Sequence, residues 1–406
     1  MPSALSHLRV LDLSRVLAGP WATQLLGDLG AEIIKIERPG SGDDTRAWGP
    51  PWIKDEAGED TDIAAYYLCT NRNKRSVTID FTQPEGQALV RELAMQCDVL
   101  VENFKVGGLA QYGLDYATLS ALNPRLIYCS ITGFGQDGPY AERAGYDFLI
   151  QGMGGLMSLT GQPDGPPTKV GVALTDILTG LYASNAILAA LAWRERSGKG
   201  QHIDLALLDV QVACLANQAM NYLASGRAPQ RMGNAHPNIV PYDAFPTADG
   251  HMILAIGNDG QFARLCQEAG TDWAQDERFA TNAARVKHRD TLIPAMHAVT
   301  RTRSTAAWIA ALESAAVPCG PINTLDQVFA DAQVQHRGMR VEMAHPTAGP
   351  LPLVGNPVGL SATPVSYSSA PPILGADTIP VLQTLLGKRK DEVETLAARG
   401  VIKAQR

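Results

Sequence analysis

Residues 9–37, RVLDLSRVLAGPWATQLLGDLGAEIIKIE, decide the fold. Arg9-Val10-Leu11-Asp12-Leu13 reads as a short buried strand. Ala18-Gly19-Pro20 turns the chain into a periodic segment from Trp21 to Leu29, and Glu32-Ile33-Ile34-Lys35-Ile36-Glu37 reads as a second strand. Strand, helix and strand within about forty residues make a βαβ unit, and so imply a parallel sheet. The pattern recurs: 76–81 predicts a strand, 84–97 a helix with proline in its first turn, and 99–102 and 126–130 two more strands. The fold class is therefore α/β, a Rossmann-like doubly wound parallel sheet. No GxGxxG follows the first strand, so the dinucleotide fingerprint is missing; Leu17-Ala18-Gly19-Pro20 is the nearest substitute for setting a helix N-terminus beside an anion.

Further along, Ile177, Leu178, Leu181, Ile187, Leu188 and Leu191 recur mostly at steps of three or four residues and predict a long helix over 176–196. Thr175 and Asp176 sit where its N-cap belongs, and Ser197-Gly198-Lys199-Gly200 stops it. Glycine-rich turns at 151–155 and 161–167 precede it. Beyond 225 the texture changes: 239–245, a 247–250 turn and 251–256 read as an antiparallel hairpin, with helical stretches to about 316. Residues 344–375 are rich in Pro and Gly and read as extended, and 377–404 as a polar amphipathic tail. The organisation that follows is a large Rossmann-like domain at 1–224, a smaller α+β domain at 225–325, and a return segment at 326–406 that packs back on the large domain.

With 406 residues, 45% of them hydrophobic, the chain can bury large cores. Its 34 Lys+Arg against 41 Asp+Glu give a net charge of −7, which argues against a nucleic-acid or anionic-membrane partner. No stretch approaches 18 uninterrupted apolar residues, and the start, MPSALSHLRVLDLS, lacks a charged region followed by an apolar one, so a cytoplasmic protein is expected. Six scattered cysteines without CxxC and eight histidines without HExxH point to reduced thiols and to neither metal nor cofactor.

Several strings resemble one family along nearly the whole chain: VLDLSRVLAGPWATQLLGDLGAEIIKIERPGSGDDTR (10–46), NRNKRSVTIDF (71–81), DVLVENF (98–104), TGFGQDGPY (132–140), GVALTDILTG (171–180), SGKGQHIDLALLD (197–209), GNAHPNIVPYDAFPTADG (233–250) and VPCGPIN (317–323). In this order they resemble the class III CoA-transferases of CaiB/BaiF type, the group that includes formyl-CoA:oxalate and carnitine CoA-transferases and related acyl-CoA racemases.

The resemblance implies a nucleophilic aspartate at Asp176, transfer through a mixed anhydride and an aspartyl-CoA thioester, and a homodimer of interlocked rings. CoA enters as substrate and carrier. Taken alone, Asp176 reads as a plain helix-capping residue, and it is the surrounding family string that turns the reading to a nucleophile; at a helix N-terminus its anion is favoured by about 0.3–1 kcal/mol. The family positions that touch CoA fall on Val16, Ala18, Arg38, Asn73, Lys74, Asn103, Phe104, Lys105 and Tyr146, with Arg75 beside them. Arg38 is expected at the adenine or 3′-phosphate and Lys74 at a phosphate. Oxyanion donors are expected from the turn at Gly154 and Gly155 or from Gly257-Asn258-Asp259-Gly260, the counterpart of a mobile glycine-rich loop.

Four departures from the family pattern stand out. Gln111 replaces a phosphate-binding arginine, Ala144 a lysine, Asn258 and Asp259 replace loop glycines, and Leu17 replaces a glutamine of the oxalate branch. Tyr146 stands where racemases carry a histidine base. A phenol titrating near 10 is a poor base at neutral pH, so a transferase is favoured over a racemase. The string HPNIVPYDAFPTADG (236–250) resembles members that use succinyl-CoA with itaconate, mesaconate, malate, citramalate or glutarate. A distal carboxylate needs cations or donors in a dry pocket, and Arg15, Arg46, Arg231 and His236 are the candidates. A racemase, an oxalate-type transferase and a non-catalytic CoA-binding protein remain the alternatives.

Overall fold

The computed structural model describes residues 3–55 and 57–404. Six parallel strands form the main sheet: β1 (Arg9–Asp12), β2 (Glu32–Glu37), β3 (Lys74–Thr78), β4 (Val99–Glu102), β5 (Ile127–Thr132) and β6 (His202–Ala206). Their order is β3-β2-β1-β4-β5-β6. The chain thus runs outward from β1 in one direction and resumes on its other side with β4, which leaves a crevice beyond the carboxyl ends of β1 and β4.

Alternate residues of each strand feed opposite faces. Leu11, Ile34, Val77 and Leu100 enter one core, and Val10, Ile33, Val99 and Ile127 the other. Burial on both faces explains the adjacent apolar pairs Val10-Leu11, Ile33-Ile34 and Val99-Leu100. The sixth strand was not foreseen: it lies at the sheet edge, and its His202, Ile203, Asp204 and Leu205 are only partly buried or exposed, which weakens the apolar signal.

Helix α1 (Ala18–Asp28) follows β1, α2 (Pro84–Met95) follows β3, and α3 (Asp147–Met153) and α4 (Leu174–Ser197) come between β5 and β6. α4 begins two residues earlier than its predicted cap: Ala173 is the N-cap and Asp176 lies inside the first turn. Gly180 lets α4 approach α1, since a Cβ there would come within 2.7 Å of the Ala18 carbonyl and 3.0 Å of the Trp21 side chain. α4 is long and apolar enough to cross a membrane, yet Ala183, Ile187 and Ala190 are buried in the second core.

Two stretches differ from their sequence reading. The region read as extended opens inside a hairpin: Arg340–His345, which begins before it, and Gly349–Val354 pair antiparallel, and Met343, Leu351 and Leu353 pack with Ile63, Tyr67 and Leu68. The tail is less polar in effect than in composition, because Val381, Leu382, Val393, Val401 and Ile402 complete the first core.

The chain divides into two compact units. The first takes in residues up to 155, 171–219 and those from 333 onward; the second consists of Leu156–Val170 and Met220–Ala332. The glycine-rich turn at 161–167 therefore belongs with the smaller unit and not with the large domain. The smaller unit carries an antiparallel sheet, β7 (Tyr242–Pro246), β8 (His251–Ala255) and β9 (Cys319–Pro321), in the order β9-β8-β7. Phe245, Met252, Leu254, Phe262 and Trp308 form its core.

Candidate active site

A cavity of about 500 Å³ opens beyond the carboxyl ends of the main sheet. Every strand contributes to its wall: Leu13 and Arg15–Ala18 after β1, Arg38 and Gly42–Asp44 after β2, 79–82 after β3, Asn103–Val106 after β4, Thr132 and Gly133 at and after β5, and Leu207 after β6. Residues 143–146 and Asp176 complete it. Its volume falls within the usual range for a small-molecule site, roughly 300–1,000 Å³. Glycine is required at 133 and 145, where the two backbones touch: a Cβ on either residue would lie 2.6 or 2.4 Å from the other's Cα.

Asp176 reaches this cavity from the first turn of α4. No side chain from α4 caps the helix. Asp147, at the start of α3, does so instead: its Oδ1 accepts from the N–H of Thr175 at 2.8 Å and from that of Asp176 at 3.3 Å. Gln151 donates to Asp147 Oδ2 at 2.7 Å, and Thr175 Oγ1 donates to Gln211 at 2.7 Å. Burial first, then the charge of Asp147, push the Asp176 carboxyl up to about 7. The helix N-terminus alone favours the anion, but here desolvation and a neighbouring carboxylate outweigh it. The same two carboxylates contribute, after burial, to raising Tyr66 to about 12.

The β1–β3 side of the cavity contains a compensated network. Lys74 Nζ meets Asp12 Oδ2 at 3.0 Å and the Pro20 carbonyl at 2.9 Å; Lys35 Nζ meets Asp43 Oδ2 and the Ser14 carbonyl, both at 2.9 Å. Both ammonium groups are fully buried. Burial would raise Asp12, yet Lys74, Lys35, Ser14 and Thr23 together hold it below its ordinary value. Burial pulls Lys74 down to about 8 against the attraction of Asp12.

This network redirects several of the CoA positions that the resemblance implied. Lys74 faces the interior of the sheet and does not line the cavity. Asn73, left-handed at φ 60°, spends its side chain on Asp28 and on the backbone at Ser366 and Ser368. Arg75, half-exposed, pairs with Glu32 and Asp377. The register explains all three: side chains alternate in and out along β3, and the strand's first residues lie at the amino end of the sheet, away from the crevice.

Val16, Ala18, Arg38, Asn103, Phe104, Lys105 and Tyr146 do line the cavity. So do Leu17, Gln111 and Ala144. Arg15 lines it as well, with its guanidinium on Asp44 at 2.9 Å and over the Phe104 ring. Arg143 is a further cation of the wall, stacked on Phe134 and Tyr140.

The remaining candidates lie elsewhere. Arg46 is buried, held by Glu37 through two bonds of 2.8 Å and by the Tyr67 hydroxyl, and is no free carboxylate receptor. Gly154 closes α3 against Gln211. In the smaller unit, the segment at 257–260 is a capped helix start and not an open glycine loop. The Gly257 N–H donates to Gln261, Asn258 accepts from the Gln261 N–H, and Asp259 pairs with buried Arg285. Arg231 and His236 line a separate cavity of about 370 Å³ within that unit, together with Arg289. Arg231 donates to the carbonyls of Gln162, Pro163 and Gly165.

Asp147 and Arg143 were missed in the sequence reading although both lie within four residues of Ala144, in the string RAGYD. Asp147 directly follows Tyr146, and no spacing rule shows that it caps a helix 27 residues further on. Among the described residues, no group of His, Cys, Asp and Glu is placed to hold a metal ion.

Comparison with known proteins follows the same line as this geometry. The model of CoA-transferase family III matches residues 5–378. A succinate–glutarate CoA-transferase of Agrobacterium fabrum is 56% identical over 94% of this chain and 95% of that protein. A succinyl-CoA:glutarate CoA-transferase of Mus musculus is 46% identical over 98% and 90%. The crystal structure of a CaiB/BaiF family protein from Brucella suis superposes with a TM-score of 0.84 at 52% identity, covering 95% of this chain and all of that one.

Proposed function

The chain belongs to CoA-transferase family III and is a CoA-transferase, and from that premise we propose that it moves CoA from succinyl-CoA to a dicarboxylate acceptor of the glutarate class, with Asp176 as the nucleophile. The observation that carries the reading is an unpaired, half-buried carboxyl facing a cavity at the sheet's switch point.

The ionised Asp176 attacks the thioester carbonyl of the donor, and the CoA thiolate leaves. An acyl–aspartyl anhydride remains. The thiolate then attacks the aspartyl carbonyl, giving an aspartyl-CoA thioester and free succinate. The acceptor carboxylate attacks that thioester and the sequence runs backwards, which regenerates Asp176. Two activated acyl linkages thus replace one direct exchange, and both survive only where water is kept out. A carboxyl titrating near 7 suits this work, because it is a better nucleophile than an ordinary aspartate while about half of it is still ionised at neutral pH. Arg38, Lys105 and Arg143 supply positive charge for the phosphates of CoA, with Arg143 offsetting the absence of basic residues at Gln111 and Ala144.

The assembly we propose is an interlocked homodimer. Leu181, Tyr182, Leu188 and Trp193 on α4, with Phe148 and Leu149 on α3, remain exposed on the chain alone, an unusual cost for large apolar side chains. Cytoplasmic residence is part of the same proposal.

A panel assay tests the reading. The protein is incubated with succinyl-CoA and glutarate, mesaconate, itaconate, citramalate or oxalate, and new thioesters are identified by mass. Glutaryl-CoA is the expected product. No thioester with any dicarboxylate would overturn the assignment, and exchange of an α-proton with deuterated water in the absence of acceptor would replace it with a racemase.

A further inference from the structure

The turn from β1 into α1 contains a strained residue. Val16 has φ 71°, the left-handed region that β-branched side chains avoid. Such a conformation persists only where its surroundings over-determine it. Here they do. Asn103 Oδ1 accepts from the Arg15 N–H at 2.9 Å, while Asn103 Nδ2 donates to the Arg15 carbonyl at 2.7 Å. The amide side chain thus occupies the position of a neighbouring strand just where the β1–β4 ladder ends, one step beyond the bond from the Leu13 N–H to the Val101 carbonyl.

A second anchor acts from β2. Lys35 holds the Ser14 carbonyl and Asp43, and Asp43 Oδ1 accepts from the Val16 N–H at 3.3 Å. Asn103 is itself fixed by its neighbours, because Glu102 Oε2 accepts from the Phe104 N–H at 2.8 Å. Both backbone groups of Arg15 are therefore gripped by one side chain, immediately before the strained residue.

We propose that Asn103 is a positioning residue for the transfer reaction: by clamping Arg15 it keeps Val16 left-handed and fixes the 15–18 wall of the cavity before any ligand arrives. This rests on the CoA-transferase reading given above. Its effect on turnover passes through Val16. Without the clamp, Val16 relaxes towards negative φ and the wall moves. A shift of about 1 Å near reacting groups is enough to cost on the order of a hundredfold in rate.

The distinguishing experiment is a rescue. Asn103→Ala is expected to lower kcat/KM about a hundredfold. Val16→Gly alone should cost a few-fold, from the lost side chain. The double variant should recover at least about tenfold over Asn103→Ala, because glycine adopts positive φ as readily as negative. A double variant no better than Asn103→Ala would make Asn103 a direct ligand contact and overturn the proposal, as would normal turnover in Asn103→Ala.

Amide hydrogen exchange of the peptide spanning 13–18 reads the clamp without any substrate. Faster exchange confined to that peptide in Asn103→Ala is expected, and unchanged exchange overturns the proposal even if the acids named above prove wrong. Should Asn103→Ala fail to fold, Asn103→Asp keeps the acceptor, loses the donor and serves the same comparison.

Discussion

On the β1–β3 side of the cavity, four buried carboxylates and cations (Asp12, Lys74, Lys35 and Asp43) are locked to one another, and Glu37 with Arg46 adds a fifth and sixth. On the α4 side, Asp176 sits beside a second carboxylate, and burial with that like charge outweighs the pull of the helix N-terminus. The two walls face one cavity and differ in what they do with charge. Where every charge has a partner, the groups hold backbone: Lys35 the Ser14 carbonyl, Lys74 the Pro20 carbonyl. Where the carboxyl is uncompensated, its proton affinity is raised. Compensation makes scaffold, and its lack leaves a group free to react.

The largest expected break in this contrast comes from Asp176→Asn. Turnover should fall by at least about a thousandfold, read by product mass, with residual activity near wild type refuting the nucleophile. The same variant should gain stability. The folded carboxyl titrates about three pH units above its unfolded value, so the wild-type protein loses stability as pH rises from about 4 to 7 and does not recover it above. Removing the charge should raise stability at pH 8 by about 2–4 kcal/mol and change it little at pH 4. Urea titrations at the two pH values check this.

On the compensated wall the sign is opposite. Lys74→Met should cost about 3 kcal/mol at pH 7, since Asp12 would stay buried with one cation instead of two. A denaturation midpoint equal to that of the wild type would show that the network contributes little. The smallest effect concerns Asp147. Replacing it with Asn removes the like charge but not the burial, so the midpoint of the rise of kcat/KM with pH, expected near 7, should move down by about one unit. An unmoved midpoint would leave burial as the whole cause.

The βαβ pattern, the crossing helices and the antiparallel hairpin of the smaller unit were legible because burial on a two-sided sheet enforces apolar runs of characteristic length. The edge strand at 202–206 was not, since one exposed flank lets His202 and Asp204 into it. For the site, the amino-acid types around 15–18, 103–105 and 176 could be singled out in one dimension. Lys74 could not be separated from Lys105, because a lysine before a strand and a lysine after one look alike in sequence, while only the second lies at the carboxyl end of the sheet where the crevice opens.

What the sequence by itself determined is the βαβ succession of the main sheet short of its edge strand, the family pattern it carries, and the presence of an aspartate at the start of the longest helix. What only the tertiary structure decided is which charges meet. Asp147 and Asp176 are 29 residues apart, Asp12 and Lys74 are 62 apart, and no local periodicity connects either pair. Electrostatic energy depends on distance and burial in space, and both are fixed only when the sheet has closed its register and the helices have packed upon it.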